Sequence, residues 1–206
     1  EMISNSALRG GGAFSLANMD ISGGTFTANA AEIQDPFAAP PDSRGGAAAS
    51  VGPMTVSDIE SVTGNSANAA AGPATGGAFD SLESLTANNV VFYKNTVGGA
   101  QSIGGALFSF EVDIEDCEFS LCQSFSANAS GGAVGSLGDL SVQTCVFNRC
   151  RAESTDPMAP AFGGALLVAE AQNLLIEDSL FENCFSTGFG GAVFAQATSE
   201  VEVYGS

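Results

Sequence analysis

The chain has 206 residues, of which 23 are acidic and five are basic, with no histidine and a net charge of −18. This balance argues against nucleic acids and anionic membrane surfaces as partners, because a strongly negative protein repels them. No stretch is long and apolar enough to span a bilayer, so we expect no direct membrane insertion of this segment.

Two short motifs alternate along the sequence. Seven regularly spaced copies of the tripeptide Gly-Gly-Ala, 27 to 34 residues apart, begin at Gly11, Gly45, Gly76, Gly104, Gly131, Gly163 and Gly190. Between these copies lies Phe-x-x-Asn or Phe-x-x-Cys, starting at Phe26, Phe92, Phe119, Phe147 and Phe181, with weaker copies starting at Met2 and Val62. This alternation predicts one structural unit stacked many times.

The residues before each Phe predict two short strands joined by a corner. Apolar residues recur at a spacing of two, the strand period, which is broken by one step of three. Polar pairs occupy the break: Ser22-Gly23, Asn88-Asn89, Glu115-Asp116, Gln143-Thr144 and Glu177-Asp178. The second unit fits less well, because Met54, Val56 and Ile59 keep the spacing but Ser61 then takes the Phe position.

Gly-Gly-Ala predicts a tight corner that leads into a third side of each coil. An apolar residue follows the alanine in the other copies, including Phe14 and Phe79, whereas the second copy has Ala48. Two glycines permit positive φ or close backbone approach, and alanine adds only a methyl group. We therefore expect adjacent coils to come nearly into contact at this corner.

These features predict an all-β fold, a right-handed parallel β-helix with about three short strands per coil, six to seven coils and almost no α-helix. We expect residues 1–206 to form a single solenoid domain. Val201 and Val203 match the start of another unit. This match favours a segment of a longer chain whose stack continues past Ser206.

The last residue of Phe-x-x-Asn/Cys predicts a buried structural ladder. Side-chain amides stacked at one corner can bond one another and the backbone of that corner. The predicted ladder consists of Asn5, Asn29, Asn65 and Asn95, followed by Cys122, Cys150 and Cys184.

Gly-Gly-Ala followed by Ile, Leu or Val, alternating with Phe-x-x-Asn, resembles the repeats of the chlamydial polymorphic outer membrane proteins and of similar algal and protist surface proteins. The best copies are Gly104–Leu107, Gly131–Val134, Gly163–Leu166 and Gly190–Val193. The resemblance covers the whole chain. It implies a passenger-like β-helix that is secreted or displayed at the cell surface, with adhesion as its role.

Five cysteines, Cys117, Cys122, Cys145, Cys150 and Cys184, lie in the later units. Disulfides between adjacent coils would join Cys117 to Cys145 and Cys122 to Cys150, whereas disulfides within a unit would join Cys117 to Cys122 and Cys145 to Cys150. Free thiols that pack as small apolar residues are the third alternative. The sequence leaves all three open.

Acidic pairs are the main candidates for chemistry. Glu115-Asp116 and Glu177-Asp178 share one corner position in two units and are candidates for weak Ca²⁺ binding; we expect no other cofactor. In an alternative hypothesis, acidic surface residues serve a polysaccharide-binding or polysaccharide-cleaving β-helix. Gln143-Thr144 lies between the two pairs, and corner positions face solvent instead of a cleft. We therefore expect a non-catalytic protein.

The segment between Asn/Cys and the next Gly-Gly-Ala varies most in length. It has 15 residues at 30–44, 10 at 66–75, eight at 96–103 and 123–130, 12 at 151–162 and five at 185–189. Insertions in a solenoid cluster on one edge. We expect loops that protrude from one corner, with Phe37, Met158 and Phe162 as apolar contacts for a partner. Asn128-Ala129-Ser130 is a glycosylation sequon.

Two functions of different kinds follow from this organisation. The first is adhesion, in which the loop edge binds a protein or glycan at a cell surface. The second is a structural spacer or building block of a surface filament or coat, in which the partners are further copies or segments of the same assembly.

Overall fold

A computed structural model of the chain describes residues 2–7, 9–33, 42–171, 173–196 and 200–206. These residues form an all-β solenoid of parallel strands without any helix. We number the strands β1–β28 in chain order. About seven coils are stacked, each passing through three sheets, as the alternating motifs predicted.

Sheet A carries the two strands on either side of the predicted corner. Its strands are β1 (Met2–Ile3), β4 (Met19–Ser22), β5 (Thr25–Thr27), β9 (Met54–Thr63), β13 (Ser84–Tyr93), β16 (Glu111–Glu115), β17 (Glu118–Ser120), β20 (Leu140–Gln143), β21 (Val146–Asn148), β24 (Asn173–Glu177), β25 (Leu180–Glu182) and β28 (Glu200–Tyr204).

Sheet B is built from the segments of variable length, and sheet C follows Gly-Gly-Ala. Sheet B contains β2 (Ser6–Ala7), β6 (Ala30–Ile33), β7 (Ser43–Arg44), β10 (Ser66–Ala69), β11 (Pro73–Thr75), β14 (Thr96–Ile103), β18 (Gln123–Ser130), β22 (Arg151–Ser154) and β26 (Phe185–Ser186). Sheet C contains β3 (Ala13–Ser15), β8 (Ala48–Ser50), β12 (Phe79–Ser81), β15 (Leu107–Ser109), β19 (Val134–Ser136), β23 (Leu166–Ala169) and β27 (Val193–Gln196). We number coils 1–7 by their sheet C strand, so coil 4 ends with β15.

Left-handed backbone marks three corners of coils 2 to 7, and two of them in coil 1. At the corner within sheet A these residues are Gly23, Asp58, Asn89, Asp116, Thr144 and Asp178. Between sheets A and B they are Ser4, Ala28, Gly64, Lys94, Leu121, Arg149 and Asn183, each immediately before a ladder residue. Between sheets B and C they are Gly10, Gly45, Gly76, Gly104, Gly131, Gly163 and Gly190. The predicted corners are thus confirmed.

Gly104 and Gly105 show why two glycines recur at the corner between sheets B and C. A Cβ on Gly104 would lie 1.9 Å from the carbonyl oxygen of Leu107, and φ at Gly104 is +72°. A Cβ on Gly105 would lie 2.0 Å from the carbonyl oxygen of Gly132 in the next coil. The first glycine permits the turn, and the second lets two coils approach closely.

Two details of the sequence alignment were wrong. In coil 1, Gly10 takes the left-handed position, so Ala13 and not Phe14 occupies the position equivalent to Ala48, and Phe14 is 45% exposed. A run of three glycines after Arg9 had allowed either alignment.

In coil 3, Val62 and not Ser61 occupies the Phe position. Val62 pairs with Phe92 and Ile59 with Val90, so β9 carries a bulge of one extra residue between them. Val62 is smaller than Phe, and the Phe79 ring fills the space. This ring packs edge-on, with centroids 5.4 Å from Phe26 and 5.9 Å from Phe92.

A column of parallel Phe rings forms the centre of the later coils. The ring centroids are 4.7 Å apart from Phe92 to Phe119, 4.8 Å from Phe119 to Phe147 and 4.7 Å from Phe147 to Phe181, with planes within 5° of parallel. This spacing equals the distance between neighbouring strands. Coil stacking therefore sets the ring stacking.

Candidate functional site

The Asn ladder is continuous through coils 1 to 4. The Asn65 side chain donates to the Asn95 side-chain oxygen at 3.0 Å and to the Phe26 carbonyl at 3.1 Å. Its own oxygen accepts from the backbone N–H and the side-chain amide of Asn29, both at 3.0 Å. Asn29, Asn65 and Asn95 are fully buried. These amides therefore hold adjacent coils together in the interior.

The cysteines continue this ladder with a weaker donor. The thiols of Cys122, Cys150 and Cys184 donate to the carbonyls of Phe92, Phe119 and Phe147, at 3.9, 3.4 and 3.5 Å. The earlier amides bond the equivalent carbonyl of the preceding coil. Cys thus replaces Asn at the same structural position.

All five cysteines are free thiols in the structure. Cys117 and Cys145 form a second column, at the corner within sheet A. Contact with Cys145 and burial raise the pKa of the Cys117 thiol. Contacts with Cys122 and Cys184, together with burial, raise the pKa of Cys150. These two thiols are therefore protonated at neutral pH, which makes them poor nucleophiles.

The acidic candidates lie exposed on the corner of sheet A. Glu115 accepts a hydrogen bond from the Asn88 amide at 2.9 Å, and Asp116 accepts one from the Thr144 hydroxyl at 2.5 Å. Gln143 pairs with Glu115 on one side and Glu177 on the other. One whole coil therefore separates Glu115-Asp116 from Glu177-Asp178. Among the described residues, no three acidic or cysteine side chains group as metal ligands would.

The variable segments lie along sheet B, and their loops leave the middle of its strands, not the corner that we expected. The eight-residue segments 96–103 and 123–130 are the unbroken strands β14 and β18. In coil 3, residues 70–72 interrupt the strand, and in coil 6 residues 155–161 do so. The Ala100 N–H bonds the Gly72 carbonyl at 3.0 Å, and the Thr155 N–H bonds the Ser126 carbonyl at 2.8 Å. Both loops are thereby fixed to the unbroken strands.

These two loops border a groove over coils 4 and 5. Gly98, Gly99, Phe125 and Ser126 belong to its floor, and Asn68 and Thr155 lie on opposite sides. Its volume is about 520 Å³. Phe125, which is 50% exposed, pairs with Gly98, so a large aromatic side chain lies beside a position without any side chain.

The predicted contact residues have different environments. Met158 is 89% exposed at the tip of its loop. Phe162 was expected to be an open contact, but it packs against Phe189 and Phe194, with centroids 5.8 and 4.7 Å away. Phe37 lies outside the described residues. Asn128, the asparagine of the glycosylation sequon, is exposed on β18.

Sequence reasoning missed Phe125. The alternation within Gln123–Ser130 was the available signal, because Ser124 and Ser126 are buried and Phe125 between them must face outward. A ridge of exposed apolar side chains was missed too. Leu16, Leu82 and Phe110 each follow a sheet C serine and are 78%, 42% and 54% exposed.

A charged network of one buried and three half-buried side chains lies where sheets B and C meet. Asp80 is fully buried and accepts a hydrogen bond from the Thr75 hydroxyl at 2.5 Å. The Arg44 guanidinium lies 3.5 Å from Asp80 and 2.7 Å from Asp42, which also pairs with Arg9 at 2.6 Å. Burial raises the pKa of Asp80 to about 6, despite the nearby guanidinium. The network joins coils 1, 2 and 3.

Comparisons with family models, curated proteins and solved structures found no match to this chain. The similarity to polymorphic outer membrane protein repeats therefore stays a prediction from the motifs. Within the described residues, no helix has the length and apolar character needed to cross a membrane.

Proposed function

We propose that the chain is a non-catalytic β-solenoid of a secreted or surface-displayed protein, which presents the outer face of sheet B to a protein or glycan partner. One observation carries the proposal. The ladder and ring columns repeat from coil to coil, whereas the inserted loops and the groove gather on sheet B. Variation confined to one face of a regular scaffold is typical of a binding surface.

The alternative function as a polysaccharide-cleaving enzyme requires acidic groups that act together on one bond. Glu115-Asp116 and Glu177-Asp178 are exposed and one coil apart, so they face no common substrate position. The spacer function requires only the columns. It gives no reason for the loops that border the groove.

An adhesion assay with coated beads tests the proposal. Deleting Thr155–Met158 shortens the 12-residue segment of coil 6 to the eight residues of coil 5. We expect adhesion to cells or matrix to fall by at least about fivefold, since a well-placed contact residue contributes more than 1 kcal/mol. The matched control replaces Glu115 and Asp116 with Ala and should adhere like the wild type.

Three results would overturn the proposal. If the variant that lacks Thr155–Met158 adheres as well as the wild type, sheet B is not the adhesive surface. Loss of adhesion in the Glu115/Asp116 variant would support the acidic corner instead. Filaments of the chain in electron micrographs, without adhesion, would favour the spacer.

A further inference from the structure

The groove over coils 4 and 5 has features of a ligand site that the repeat itself does not require. Coils 4 and 5 have no insertion in sheet B, while loops 70–72 and 155–161 stand on either side. Two coil spacings give a floor roughly 10 Å wide. Backbone hydrogen bonds fix both loops, so the groove exists before any ligand binds.

The floor combines one aromatic platform with an open space beside it. Phe125 is half-exposed, although an aromatic side chain gains free energy by leaving water. The outward position beside it in coil 4 is Gly98, where φ is not positive, so neither turn geometry nor φ requires glycine there. A Cβ on Gly98 would approach only the Asn68 side-chain oxygen closely, at 2.8 Å. Glycine at this position therefore keeps the space next to the ring open.

Polar side chains rim this platform. Asn68 and Thr155 are exposed, and within the described residues neither side chain makes a hydrogen bond. An amide and a hydroxyl on opposite sides of an aromatic ring match a ligand with an apolar face and polar edges. A sugar ring has this character, because its C–H groups form a face and its hydroxyls lie at the edge.

The charge of the groove favours neutral sugars over acidic ones. Glu32 lines the groove, and no basic residue does. Arg151, on the neighbouring coil, is paired with Glu153 at 2.7 Å. The net charge of −18 adds a general repulsion of anions. A uronate or sulfated sugar would therefore lack a counter-charge in the groove.

We infer that this groove binds a neutral oligosaccharide, with Phe125 as the platform for one sugar ring and with Asn68 and Thr155 bonding hydroxyl groups at its edges. The inference names the partner chemistry of the proposed function and rests on it.

Glycan binding by the chain produced in bacteria, where Asn128 carries no glycan, tests the inference. The probes are neutral oligosaccharides of glucose, mannose and galactose, with oligogalacturonate and heparin as acidic comparisons. We expect binding to at least one neutral probe and none to the acidic probes. Phe125→Ala should weaken that binding by about tenfold, as expected for loss of an aromatic contact residue.

Two further variants separate the groove from general effects. Gly98→Val suits a strand and fills the space beside the ring, so it should weaken binding as strongly as Phe125→Ala while the chain stays folded. Phe110→Ala removes a similarly exposed ring (54%) far from the groove and should leave binding unchanged.

The inference is overturned if no neutral probe binds, if an acidic probe binds more tightly, or if both groove variants bind like the wild type. Bead adhesion distinguishes this failure from failure of the proposed function. A chain that adheres through loop 155–161 but binds no neutral probe keeps the proposed function and loses this inference.

Discussion

The interior columns and the outer face of sheet B belong to the same coils, yet they vary in different ways. Inside, Phe follows Phe from coil 4 to coil 7, and Asn is followed by Cys, which reaches the same carbonyl position. Outside, the aligned positions Glu32, Asn68, Gly98, Phe125 and Glu153 hold four different residue types, and no two neighbouring coils share one. The repeat constrains what each coil shows its neighbours and leaves the outward surface free to specialise.

The largest effect should come from interrupting the ring column. Phe119→Ala removes a fully buried ring that stacks on Phe92 and Phe147. We expect a loss of about 3–5 kcal/mol in the free energy of unfolding, measured by urea denaturation. Phe110→Ala, at an exposed ring, should cost less than about 1 kcal/mol. Equal losses for the two variants would contradict the contrast between interior and surface.

The next effect compares the two halves of the ladder. Asn65→Ala leaves the buried N–H groups of Asn29 without their acceptor and the Phe26 carbonyl without its donor. We expect a cost of about 3–4 kcal/mol, because several buried polar groups lose partners at once. Cys150→Ala removes one weak thiol donor and should cost about 1 kcal/mol.

Asn65→Cys sharpens the same comparison. It should cost less than Asn65→Ala, since a thiol can still donate to the Phe26 carbonyl. Urea denaturation of the three variants provides the measurement. If Asn65→Ala lowers the free energy of unfolding no more than Cys150→Ala does, the amides of the ladder contribute no more to stability than its thiols.

A smaller effect should appear as pH dependence. The folded pKa of Asp80, about 6, is above the ordinary value of 3.8, so between these values the folded chain holds a proton that the unfolded chain has released. The stability linked to Asp80 is therefore present near pH 4 and is lost as the pH rises through 6. The change is about 2–3 kcal/mol.

Asp80→Asn serves as the control, because its side chain does not titrate. General repulsion among the other carboxylates affects both proteins alike. Unfolding free energies measured from pH 4 to 7 should therefore fall more steeply for the wild type than for the variant. Parallel curves would show that Asp80 does not titrate in this range.

The sequence was sufficient for the coil and its columns, because each residue inside a solenoid must match the residue above and below it. Gly-Gly-Ala located one corner, and Phe-x-x-Asn/Cys located the ladder and the ring column. The alignment failed where local geometry changed without a change in composition. The extra residue in β9 shifted Val62 into the Phe position, and the three glycines before Ala13 hid a shift of one residue.

The outer face could not be predicted in the same way. Outward positions have no partner column to enforce a pattern, so Phe125 did not stand out in the sequence. The lengths of the loops could be read from the sequence. Their position in the middle of the sheet B strands could not, because it depends on how β14 and β18 pair across the insertions. The charged network around the buried Asp80 depends on contacts between residues of different coils, such as Arg44 and Asp80.

The central claim is that architecture and binding occupy separate sets of residues, and paired measurements on two variants test it most directly. Phe119→Leu should lower the urea midpoint while the folded protein adheres to its partner as the wild type does. Phe125→Ala should weaken adhesion without moving the midpoint. The claim is contradicted if Phe125→Ala leaves adhesion intact, or if Phe119→Leu weakens adhesion of the fully folded protein.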